Sequence, residues 1–118
     1  MQVLMQATRS GFDFEKVTVS SVSKALTSTK YSHNTSVTDQ LAVQEKTVNA
    51  FGATIYVEGA DVRAVFSPGQ AVAPVGATTG LLFSAGTFFE ITGFANLRDV
   101  RFIRDAGTDA SLQVQYWS

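Results

Sequence analysis

Apolar and polar residues alternate most regularly in the last third of the chain, Gly80 to Ser118. There Leu112, Val114 and Tyr116 take turns with Gln113, Gln115 and Trp117, and a period of two sends the two sets to opposite faces of a strand. The same segment predicts strands over Phe88–Gly93 and Val100–Asp105, with a closing hairpin turn at Ala106–Ala110. Phe88 and Phe89 are neighbours in a strand, so one enters the core and the other is covered by something else. Upstream, Phe51, Ala53, Ile55 and Val57 face one way, and Gly52, Thr54, Tyr56 and Glu58 the other. Gly59–Asp61 predicts a hairpin-like turn, and Val62–Phe66 a returning strand with Val62, Ala64 and Phe66 on one face.

Elsewhere the pattern is weaker. Phe12, Phe14, Val17 and Val19 nearly alternate, with a slip between Phe14 and Val17 that predicts a bulge or a strand end. Thr27–Ser36 reads as a polar loop. Val37–Ala50 suits a strand or a helix; no capping box follows Thr38, and the β-rich flanks favour a strand. Ala95–Leu97 reads as a short link, with Leu97 plugging the end of the sandwich. Ser67–Gly80 holds both prolines, three of the nine glycines and no charge. Structureless loops of that length are usually functional or mobile. It is either a contact loop buried against a partner or a cover over the open end of its own sandwich. Residues 1–11 form a first strand, an arm laid on a neighbouring subunit, or a frayed terminus. The predicted fold is all-β: a single antiparallel β-sandwich over residues 12–118, with about seven or eight strands. A jelly-roll-like arrangement is expected, with an immunoglobulin-like one as the alternative.

Composition narrows the function. At 118 residues the chain is one domain by length. Its charged share of 16% lies below the ~25% usual for soluble chains. Either another protein covers part of the surface, or the surface is a Thr/Ser-rich β face. A net charge of −1, with Asp99 and Asp105 set among Arg98, Arg101 and Arg104, argues against nucleic acid as a partner. The absence of cysteine removes disulfides and thiolate metal sites and fits a reducing compartment. Neither a signal peptide nor an apolar stretch of membrane-spanning length is legible, so no membrane partner is expected.

No catalytic set is visible, and the chain is not expected to be an enzyme or to hold a cofactor. His33, the one histidine, lies in a Ser/Thr/Asn-rich stretch and reads as a solvated residue. Ser21 and Lys24 have S-x-x-K spacing without the companion motifs of acyl enzymes. Asp13 and Glu15 share a face if their segment is a strand, without the cleft that a glycosidase pair needs. Asp105 and Asp109 flank a glycine turn but lack the spacing of a calcium loop. Asn34-Thr35-Ser36 spells a glycosylation sequon, which means little without secretion. Trp117 either closes the sandwich or anchors an interface, and its parity with Gln113 and Gln115 favours the interface.

Four stretches carry a family resemblance: FEKVTVSSVSKALTSTKYS, VQEKTVNAFGATIYVEGADV, the G-T-x-x-x-I strand leading to FANLRDVRFIR, and AGTDASLQVQY. Most telling are Arg101–Arg104, Gly107–Ala110, Leu112, Val114 and Tyr116. In these the chain resembles small phage virion proteins encoded near the major capsid gene; it differs in the long, apolar Ser67–Gly80 segment. The resemblance implies a head decoration or cement protein on the outer capsid surface, made in the host cytoplasm. Its partners would be the major capsid protein and copies of itself, with a trimer preferred. The residues expected at an interface are Pro68, Val72, Pro74, Val75, Phe89 and Trp117. Two other functions compete. One is a tail- or fibre-associated sandwich that stacks a host glycan on Tyr31, Tyr56 and Trp117; the other is a small hydrolase built around His33.

Overall fold

The computed structural model describes residues 10–39, 42–66 and 80–118. Ten strands and two short helices follow one another among them: β1 (Gly11–Val19), β2 (Lys24–Ala25), α1 (Ser28–Tyr31), β3 (Ser32–Asp39), β4 (Ala42–Asn49), β5 (Gly52–Glu58), β6 (Val62–Phe66), β7 (Leu81–Phe83), β8 (Phe88–Thr92), α2 (Phe94–Asp99), β9 (Val100–Arg104) and β10 (Ala110–Trp117). Eight of the strands form two antiparallel sheets, in the orders β1-β10-β5-β8 and β2-β9-β6-β7. Each sheet interleaves strands from both ends of the chain, so the fold closes only when β9 and β10 insert between earlier strands. The expected all-β sandwich is the observed fold.

The core lies between the two sheets. Val17 and Val19 of β1, Ile55 and Val57 of β5, and Leu112, Val114 and Tyr116 of β10 fill it from one side. Val62 and Ala64 of β6 and Val100 and Phe102 of β9 meet them from the other. The predicted alternation in the last strand therefore stands, residue by residue. Gly52 is the close-approach point between β5 and β8: a Cβ there would come within 2.6 Å of the Ile91 carbonyl oxygen.

One end of the sandwich is closed by α1 and α2. Tyr31 packs its ring edge-on to Phe94, with centroids 5.7 Å apart, and lies 6.3 Å from Tyr116. Leu97 is fully buried, as a plug should be, although its segment is the helix α2 and not a simple link. Thr27–Ser36 is likewise no loop: it holds α1 and the start of β3. The register shift in β1 falls between Gly11 and Asp13, before the predicted slip, and so leaves Phe14 on the solvent side.

The remaining two strands belong to neither sheet. β3 and β4 pair only with each other among the described residues, from Ser32↔Asn49 to Asp39↔Ala42. At about 3.3 Å per residue, eight-residue strands make an arm of about 25 Å. At its root the pairing continues one step further, where the Ala50 N–H donates to the Tyr31 carbonyl at 2.8 Å.

Candidate functional site

The outer face of the β1-β10-β5-β8 sheet carries the most distinctive group of solvent-facing side chains. Cross-strand register sets them in rows. One row runs Phe14, Gln115, Thr54, Glu90; the next runs Lys16, Gln113, Tyr56, Phe88. A trough of about 320 Å³ opens between them, lined chiefly by Phe14, Tyr56, Phe88, Thr54, Gln113 and Gln115. Phe14 is 72% exposed and Phe88 65%, large values for phenylalanine. Tyr56 and Phe88 lean on each other with centroids 4.6 Å apart.

Hydrogen bonds inside the protein hold the floor of the trough. The Gln115 amide nitrogen donates to the Asp13 and Tyr116 carbonyls at 3.1 and 3.0 Å. That of Gln113 donates to a Glu58 carboxylate oxygen at 2.8 Å. The Trp117 indole N–H donates to Thr54 Oγ1 at 2.9 Å, and the Thr54 hydroxyl donates to Glu90 at 3.4 Å. Each strand thus fixes its polar groups through a neighbour, and the floor is pre-set.

A second cluster sits at the root of the arm. His33 Nε2 lies 2.9 Å from Asp13 Oδ2, and the imidazole stacks on Phe12 with centroids 4.1 Å apart. Lys30 Nζ is 3.6 Å from the same carboxylate. The Phe14 backbone N–H, and then His33, hold the Asp13 carboxyl below its ordinary range. Asp13 and Glu15 have separate duties: Glu15 accepts from Tyr116 Oη and from the Thr27 N–H and hydroxyl. His33, expected to be solvated, is instead a half-buried tie between the arm and β1.

The residues expected to be functional fare unevenly. Phe89 is corrected: it turns inward, stacks on Phe83 with centroids 4.0 Å apart and packs on the core, while Phe88 faces out. The signal lay in parity, since Glu90 and Thr92 share a face with Phe88, whereas Ile91 shares one with Phe89. Trp117 lies on the outer face, half-buried, with its N–H bonded to Thr54. Tyr31 is buried and offers no sugar-stacking surface; Tyr56 is half-buried on the outer face, against Phe88. Pro68, Val72, Pro74 and Val75 lie outside the described residues, as does most of residues 1–11. Asp105 pairs with Arg63 and Asp109 with Arg104, both at 2.7 Å, so the glycine-turn acids serve as ion-pair partners. Comparison with protein-family models, with curated proteins and with solved structures finds no match.

Proposed function

We propose that this chain is a non-enzymatic structural protein of a phage virion, a decoration or cement protein that binds the outer surface of the head. The observation that carries the reading is the β3–β4 arm, which extends from the sandwich without a third strand among the described residues. An isolated two-stranded ribbon is marginal in water and gains stability when a partner covers it. A protein that ties capsid subunits together has a use for such an arm; a self-contained enzyme does not. The low charge and the resemblance of the Arg101–Arg104 and Gly107–Tyr116 stretches to small virion proteins support the same reading.

The interleaved orders β1-β10-β5-β8 and β2-β9-β6-β7 are read here as a jelly roll, with the arm inserted between its second and third strands. Jelly rolls recur in viral capsid proteins, and fold alone does not fix function. The partners in this reading are the major capsid protein and sister copies at a local three-fold axis. Weak contacts at each copy add up over a closed shell.

The test is addition of purified protein to heads that lack it. Saturable binding and a gain in heat resistance of the particles are expected. A variant with residues 35–46 replaced by Asn-Gly should keep the sandwich fold and lose most head binding. Full binding by the trimmed variant would remove the arm from the account, and no binding by the intact protein would remove the decoration role.

A further inference from the structure

We infer that the bulge at Phe12–Asp13 and the imidazole of His33 form a latch that fixes the direction in which the β3–β4 arm leaves the sandwich. Two consecutive residues of a regular strand point to opposite faces. Phe12 and Asp13 nevertheless both engage one ring. Phe12 stacks on the His33 imidazole with centroids 4.1 Å apart and planes 17° apart, and Asp13 Oδ2 lies 2.9 Å from its Nε2. The register explains how. Gly11 pairs with Trp117 and Asp13 with Tyr116, which leaves Phe12 as the extra residue. A bulge re-aims the side chains beside it, and here it aims both at the root of the arm.

Three elements meet on the Asp13 carboxylate. β1 supplies the Phe14 N–H, which donates to Oδ1 at 2.8 Å; α1 supplies Lys30 Nζ, 3.6 Å from the same oxygen; β3 supplies His33. Phe12 in turn packs against the core, so the imidazole is held between a seated ring and a seated carboxylate. By contrast, the Ser32–Asn49 and Thr47–Asn34 bonds join β3 to β4 and leave the direction of the pair open. Imidazole can donate from Nε2 in its neutral and its charged form, so the latch does not wait on a proton. Leverage makes the contact matter. On an arm of about 25 Å, about 10° of play at the root moves the tip by about 4 Å. An arm held at one angle also loses less freedom when it docks, which favours association.

The latch does not depend on the virion reading, and its test uses the intact chain. The sequence has no cysteine, so Thr18→Cys on β1 and Ala42→Cys at the far end of β4 take spin labels without side reactions. Pulsed dipolar spectroscopy then reads the distribution of distances between the labels. A narrow distribution is expected with the latch intact. His33→Ala and Asp13→Ala should each broaden it roughly twofold or more, with amide protection of β5 and β10 kept. Because the two side chains act as one contact, the double variant should be no broader than either single one. A distribution as narrow in either variant as in the parent overturns the inference, and so does one already broad in the parent. Further broadening in the double variant would show two independent restraints and no latch. Loss of β5 and β10 protection in both single variants would assign the pair to the sandwich itself and overturn the latch as well.

Discussion

Tyr116 and Glu15 show how one residue pair can fasten a whole sandwich. Tyr116 ends the buried face of β10, and its hydroxyl donates to Glu15, whose carboxylate also accepts from Thr27 just before α1. Burial first, and then Glu15, push the Tyr116 phenol above its ordinary value of 10.0, and burial pushes Tyr31 up as well. The folded state therefore holds both protons more tightly than the unfolded chain. Their contribution to stability is whole below pH about 10 and is lost as the pH rises beyond it. Urea midpoints should stay level from neutral pH to about 9 and then fall, with a shallower fall in Tyr116→Phe. At neutral pH that variant should cost about 1–3 kcal/mol, because Glu15 loses a donor in a half-buried place. An alkaline slope identical to the wild type would show that the phenol is not the titrating group.

Among the elements, the arm differs most from the rest. Each sandwich strand has a buried face or a close neighbour, whereas β3 and β4 have one another. Local opening should follow that difference. In hydrogen exchange, amides of β3 and β4 should exchange roughly a hundredfold or more faster than those of β5 and β10. Equal protection would mean that something already covers the arm in solution. The same difference decides which elements can be read from sequence. β5, β6 and β10 each bury one face, so their alternation is written in Ile55, Val57, Val62, Ala64, Leu112 and Val114. β3 lies outside both sandwich sheets, so its first five residues, SHNTS, carry no such alternation and read as a loop, while its last three fall in the stretch that reads as a strand. α1 and α2 span four and six residues, too few for a helical period to register. Among the site residues, Tyr56 was legible from its strand parity. Phe14 was obscured because the bulge falls at Gly11–Asp13 and not after it.

On the scale of the whole molecule, what is unusual is how little charge there is to guide association. The net charge is −1, and several of the charges are spent inside the protein, in Arg63–Asp105, Arg104–Asp109 and Arg98–Asp99. If the chain decorates a capsid, its grip must come from apolar contact and backbone pairing, with the arm as the obvious source of unpaired strand edges. Such contacts answer weakly to ionic strength, because screening acts on charge–charge attraction between separated surfaces. Raising salt from about 50 mM to about 500 mM shortens the screening length severalfold and would strip a charge-steered binder from its shell. Here the occupancy of heads, measured by sedimentation and gel densitometry, should change by less than about twofold over that range. Trimming the arm should empty the heads at every salt concentration. A steep loss of occupancy with salt would mean that charged side chains, such as the exposed Lys16, Lys24 and Arg98, do the binding, and apolar contact and backbone pairing by the arm would then lose their claim to hold the shell.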